Sequence, residues 1–425
     1  MEPKDHIDNT INHLFRQESG KMVAVLIKIF GTENIELAED VVQDALVSAL
    51  ETWKYRGMPD NPRAWLYRTA RNKAIDIIRR KKHSKTIDFS DPERKLLTSE
   101  YTLASTMKDF WKEQHIQDDF LAMMYACCHP DISQENQITF ILKSLCGFST
   151  KEVAKSFLTS EDTVSKRLYR TKEYFRKHKI RPSIPFPEEI GVRTSAVLSA
   201  IYLMFNEGYN STHDDQLIRK DLISQSMWLC KSLLDSERTQ LPEVYALMSL
   251  MCFHTARINS RITEQGALIL LPDQDRSTWD TKLIMLGSNY LNQAAFGDAL
   301  TTYHLEAAIA YQHCIALSYE TTNWKEILKY YDLLLNKDKD PIVYLNRCLI
   351  LLELYGPEEA LEAIEEIRDH KILNKYYLYH AILGEIHERL IQPHIAVEYY
   401  QQAIQLTQSK PEQHCLQQKI ARILN

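Results

Sequence analysis

FSTKEVAKSFLTSEDTVSKRLYR, residues 148–170, is the most informative stretch of this chain. Ser149 reads as a helix N-cap, and Glu152 three residues on completes a capping box. Val153, Ala154 and Phe157 then give a short apolar face. A turn at Leu158 and Thr159 follows, and Ser160 caps a second helix with Val164 and Leu168 on its inner side. Short helix, tight turn and second helix make a helix-turn-helix. The outward face offers Ser160, Asp162, Thr163, Ser165, Lys166, Arg167 and Arg170. Hydroxyls and forked cations near a helix N-terminus suit base edges, and the later cations suit phosphates. The competing reading is a helical hairpin with a basic surface.

A second basic stretch lies upstream: NPRAWLYRTARNKAIDIIRR, residues 61–80. Pro62 sits where a helix begins. Its expected buried face is Ala64, Leu66, Ala70, Ala74, Ile75 and Ile78, which leaves Arg68, Arg71, Asn72, Arg79 and Arg80 for a polyanion. Trp65 and Tyr67 interleave with the cations, and aromatics beside a basic groove stack on unpaired bases. Taken alone, Trp65 reads first as a core residue.

The charge distribution supports two contacts. Residues 1–180 hold 29 Lys and Arg against 26 Asp and Glu, and residues 181–425 hold 22 against 31. Between Arg63 and Lys85 nine cations face one acid, Asp76, and between Lys166 and Arg181 eight face one, Glu173. Two basic stripes on a mildly acidic chain point to two local contacts with a polyanion.

Nearly every other segment has the helical period, so the fold class expected is all-α. Helices are expected over 10–30, 35–54 and 63–80. With only 11 glycines in 425 residues there is no Gly-rich phosphate loop, which argues against nucleotide-binding α/β folds. No apolar run reaches membrane-spanning length, and the start MEPKDHIDNT is not a secretory signal. The eight cysteines follow no framework spacing, so reduced thiols and a cytoplasmic location are expected. No cofactor and no membrane partner are expected. The domains are drawn at 9–85, a polar linker 86–115, 116–181 with the helix-turn-helix, a Pro-rich linker 182–192, and two further helical parts, 193–300 and 301–425. In the last part Leu383, Gly384, Ala396, Tyr400 and Ala403 fall at tetratricopeptide spacings, with Tyr344 and Ala360 fitting one unit earlier.

The order of these motifs resembles a known family. EDVVQDALVSALETW at 39–53, the Trp65–Arg80 helix, a polar tether and the helix-turn-helix look like a bacterial RNA polymerase sigma factor of the extracytoplasmic-function group, over residues 9–180. The resemblance implies that Asp40, Gln43 and Asp44 dock on core RNA polymerase. It implies that Trp65, Arg68, Arg71, Asn72, Arg79 and Arg80 read and help melt the minus-ten promoter element. Ser160, Asp162, Thr163, Ser165, Lys166, Arg167 and Arg170 would read the minus-thirty-five element. YACCHP at 125–130, YLMFNEGY at 202–209 and DQDRSTWD at 273–280 resemble a subgroup with a long tetratricopeptide-like extension, thought to replace a separate anti-sigma factor. That extension would take a regulatory protein or signal.

Other readings stand beside this one. Cys127, Cys128 and His129 suggest metal less than helix core and turn, because a zinc site needs about four converging ligands. The carboxylates of 206–209 and 273–276 suggest helix capping and cross-linking, with Arg276, more than acid–base catalysis. The expectation is therefore a non-enzyme. A one-component helix-turn-helix regulator with a helical sensor domain is the alternative.

Overall fold

The computed structural model describes residues 3–81, 87–89, 92–157, 159–211, 217–263, 267–297, 300–367, 370 and 373–424. The class is all-α: among the described residues there is no strand, only an isolated antiparallel bridge between Ile262 and Leu268. The chain divides into two compact units, residues 1–204 and 205–425. No described helix is long and apolar enough to cross a membrane.

The first unit begins with α1 (Pro3–Phe30), α2 (Ile35–Arg56) and α3 (Pro62–Lys81). Gly31 and Gly57, at φ 93° and 79°, turn the chain after α1 and α2 where a side chain would be strained. The Asn61 side chain accepts from Ala64 N at 2.9 Å and so caps α3. Ile35, Ala38, Val41, Val42, Ala45, Leu46, Ala49 and Trp53 of α2 are buried. The stripe on α3 is narrower, only Leu66, Ala70, Ala74 and Ile78. Two expected members are corrected: Ala64 is exposed and Ile75 half-buried. Ala64 lies about 200° around the helix from Leu66, and Ile75 about 100° from Ala74.

The expected linker 86–115 is largely helical. It holds α4 (Pro92–Lys95) and α5 (Glu100–Phe110), and α5 buries Leu103, Met107 and Phe110. That stripe, spaced four and then three, is hidden in the sequence by polar neighbours. The Arg94 guanidinium donates to the Lys28 carbonyl at 2.8 Å, tying the segment to α1.

Next come α6 (Glu113–Cys127), α7 (Gln134–Phe140), a π turn over Ile141–Leu145, α8 (Thr150–Ser156) and α9 (Glu161–His178). The capping box of α8 forms as expected, with Glu152 N donating to Ser149 Oγ at 3.1 Å and Ser149 N to Glu152 Oε2 at 2.7 Å. Leu158 of the expected turn lies outside the described residues; Thr159 N closes the turn on Ala154 O at 2.9 Å. The Pro-rich linker is shorter than the 182–192 drawn from sequence, because α10 (Pro187–Tyr209) starts at Pro187. The boundary between the units falls within α10.

The helices before and after the expected linker pack together, which places the drawn domains 9–85 and 116–181 in one compact unit. Gly20 of α1 sits against the π turn, where a Cβ would fall 1.8 Å from the Leu145 carbonyl oxygen. Thr32 donates to the Ile180 carbonyl at 2.7 Å, just past α9.

The second unit contains α11 (Lys220–Leu234), α12 (Pro242–Ala256), α13 (Thr281–Ala294), α14 (Thr302–Ile315), α15 (Trp324–Lys337) and α16 (Pro341–Tyr355). It ends with α17 (Pro357–Glu365), α18 (Tyr377–Arg389), α19 (Pro393–Leu406) and α20 (Lys410–Leu424). Helix α12 is apolar on nearly every side, with Ala246 to Phe253 all buried, because α11, α13 and α14 surround it. Later helices pack on their neighbours in sequence. A Cβ on Gly384 of α18 would lie 2.6 Å from the Tyr400 ring of α19, and Ala396 and Ala403 are fully buried. Small residues at those spacings thus serve close helix approach.

Candidate functional site

The basic stripes separate into two populations. One holds the fold. Arg63 pairs with the buried Glu18 at 3.1 Å and with Glu113 at 2.8 Å, while Tyr67 donates to Glu18. This joins α3 to α1 and α6. Lys172 pairs with Glu39 at 2.6 Å, and Arg176 with Glu36 at 3.0 Å, joining α9 to α2. Arg79 is partnered by Glu100 at 3.3 Å.

The other population is available. Arg68, Asn72, Arg80 and Arg170 are exposed and Arg71 is half-buried, and no carboxylate pairs with any of these four arginines among the described residues. Trp65 is half-buried and meets the fully buried Trp53 edge-on, ring centroids 5.4 Å apart. Its core contact is real, and its remaining face lies beside the α3 cations. Lys82 and Lys85 of the sequence stripe lie outside the described residues.

On α9, Ser160 accepts from Thr163 N at 3.2 Å and caps the helix. Asp162, Ser165, Lys166 and Arg170 are exposed and Thr163 is half-buried, with Lys166 paired to Asp162 at 2.7 Å. Arg167 departs from expectation: it is half-buried, its guanidinium 5.1 Å from the centre of the Phe157 ring. That contact braces α8 against α9. Tyr169, at 66% exposure, and Lys177 also face solvent on α9.

Asp40, Gln43 and Asp44 are all exposed on α2. Asp40 and Asp44 line a cleft of about 270 Å³ with Leu37, Ile77, Arg80 and Lys81. An acidic edge on α2 therefore borders the basic edge of α3.

Comparison with known proteins agrees with this geometry. Residues 14–84, which span most of α1 and all of α2 and α3, match the sigma-70 region 2 family. A protein of Rhizobium meliloti (strain 1021), described as uncharacterized, is 30% identical over 390 residues, 92% of this chain and 90% of that protein. The chain belongs to a sigma-factor family. Sigma-70 region 2 implies binding to core RNA polymerase and promoter DNA, and members of the family are non-enzymatic transcription factors. Residues 193–295 match a family of unknown function (DUF6596). No solved structure matches the chain.

The motifs outside region 2 have structural work. Cys127 and Cys128 are buried at the end of α6, and burial pushes both thiols up, away from the thiolate that binds metal. His129 contacts the Tyr174 hydroxyl at 3.0 Å. Glu207 is buried, pairs with Arg219 at 3.4 Å and accepts from Ser211 at 3.1 Å. Asp275 and Asp280 accept from backbone N–H groups of the helical turns that follow them. Arg276 donates to the carbonyls of His313 at 2.7 Å and Ala316 at 2.8 Å, cross-linking its turn to the end of α14.

Proposed function

We propose that this chain is a sigma factor of the extracytoplasmic-function type that brings core RNA polymerase to specific promoters in the cytoplasm. One observation carries the reading. The helices matching region 2 leave Asp40, Gln43 and Asp44 exposed on α2 and Arg68, Asn72 and Arg80 exposed on α3. Protein-docking carboxylates and DNA-facing cations thus occupy adjacent helices that pack on each other. Trp65, Arg68, Arg71, Asn72, Arg79 and Arg80 form the minus-ten surface. Arg79 must first give up Glu100, at modest cost because that pair is half exposed. Helices α8 and α9 act as the helix-turn-helix for the minus-thirty-five element, reading bases through Ser160, Asp162, Thr163, Ser165, Lys166, Arg167 and Arg170. The C-terminal unit, with tetratricopeptide-like α18 and α19, regulates initiation and receives a protein or other signal.

Reconstituted transcription tests this. Full-length protein and core polymerase, presented with a promoter library, should give initiation at a defined pair of elements. Core polymerase remaining promoter-blind, or the protein selecting duplex DNA equally well without polymerase, would overturn the proposal. The second outcome would instead support a one-component regulator.

A further inference from the structure

The DQDRSTWD segment of the second unit lies in a cluster of arginines that make no ion pair among the described residues. Arg257, just after α12, is buried at 8% exposure, its guanidinium 5.1 Å from the centre of the Trp279 ring. Arg276 lies over the same ring at 4.9 Å. Arg261, four residues from Arg257, stands 3.8 Å from the Tyr209 ring centre and donates to the Tyr209 carbonyl. Among the described residues, none of the three has a carboxylate within ion-pairing distance. Asp275, beside Arg276, is exposed and bonds Ser277 of its own turn.

A guanidinium removed from water is stable when it is neutralised or fully hydrogen-bonded. Arg276 meets part of the second condition, with three bonds, to two carbonyls and to the Thr322 hydroxyl at 3.2 Å. Arg257 has neither an ion pair nor a side-chain hydrogen bond among the described residues: its Nε is buried without a partner, and its guanidinium stacks on the face of an indole. Three more buried nitrogens are orphaned nearby: Trp279 Nε1, on a residue 4% exposed, His313 Nδ1, on a residue 9% exposed, and His254 Nδ1. Unpartnered buried polar atoms are unusual, and four around these cations need an explanation. Burial, followed by the charges of Arg257 and Arg276, pushes the His313 imidazole down to about 3. The turn carrying Arg276 and Trp279 is at the surface, with Ser277 and Thr278 exposed.

We propose that Arg257, Trp279 and His313 form a binding site for a phosphate group, free or carried by a small molecule. Arg257 supplies a charged fork, Trp279 its indole N–H, and His313 its Nδ1–H in the tautomer protonated there. Arg276, locked by backbone carbonyls, supplies the second positive charge. Two guanidinium groups match a dianion better than a singly charged carboxylate. The site is built from residues of the second unit alone and gives that unit a chemical input independent of the sigma assignment.

Full-length protein titrated with inorganic phosphate, against sodium chloride of equal ionic strength and against acetate, tests the proposal by calorimetry and thermal unfolding. Saturable binding with a rise in Tm is expected for phosphate and not for acetate. Arg257→Gln should abolish it. Trp279→Phe, which keeps the ring packing and deletes one N–H, should weaken it about tenfold. Lys337→Ala, an exposed cation at the end of α15, should leave it intact. Absence of saturable phosphate binding, an equal response to acetate, unchanged affinity in the folded Trp279→Phe variant, or loss in Lys337→Ala would each overturn the assignment.

Discussion

Glu39 of α2 accepts from the Lys172 ammonium at 2.6 Å, across 133 residues of chain. Its other carboxylate oxygen accepts from Ser144 Oγ at 2.9 Å. Both charges are about three-quarters buried, so solvent screens them less than it does an exposed pair. One acid on the region 2 helix thus holds the base of the proposed promoter-reading helix.

Glu39→Gln should loosen that contact by about 1–2 kcal/mol, the scale of one charge-assisted hydrogen bond. Faster amide exchange is expected over residues 161–180, with little change in α12. Protection of α9 identical to the unsubstituted chain would show that the pair contributes nothing.

Gly20→Ala attacks the same packing from the other side. A methyl group there meets backbone at Leu145, which cannot swing away, so α1 and the π turn must separate. A loss of at least 1–3 kcal/mol in denaturant unfolding of the first unit is expected. Unaltered unfolding would mean that the close approach is absent in solution.

Arg170 and Lys172 lie two residues apart on α9 and have opposite fates. Arg170→Ala should weaken use of the upstream element by about 1–3 kcal/mol if it reads a base, with Tm unchanged. Lys172→Ala should lower stability, because it removes the partner of Glu39. Transcription and thermal unfolding of both variants separate the two roles, and matching profiles would refute the division of the basic stripe.

Asp44→Lys reverses an exposed charge at the rim of the α2–α3 cleft. It should reduce affinity for core polymerase without affecting the fold, and the reduction should shrink as salt rises. Unchanged affinity at low salt would remove Asp44 from the docking surface.

His313 makes stability depend on pH. Its folded value, about 3, lies below the ordinary 6.5, so the unfolded chain takes up a proton first as pH falls. Its contribution is present at neutral pH and is lost as pH falls below about 6.5. Between pH 7 and 5 that amounts to about 2 kcal/mol. In His313→Asn the unfolding free energy of the second unit should fall less over this interval; an identical slope would show that His313 is not held neutral.

The sequence by itself determined the local structure. Apolar residues at helical spacing, the Ser149–Glu152 box, the Ser160 cap and prolines at helix starts are short-range signals, and each acts within a turn or two of chain. They define most of the helices and the positions of the basic stripe on α3 and the acidic edge of α2. Only the tertiary structure decided which charges are free. Arg63, Lys172 and Arg176 look like Arg68 and Arg170 in the sequence, yet the first three are taken by acids 45 to 140 residues away. An ion pair has no local signature, since its partner is chosen by how helices pack. The folding of α5 within a polar segment, and the meeting of Arg257, Arg276 and His313 around Trp279, depend on the same long-range packing.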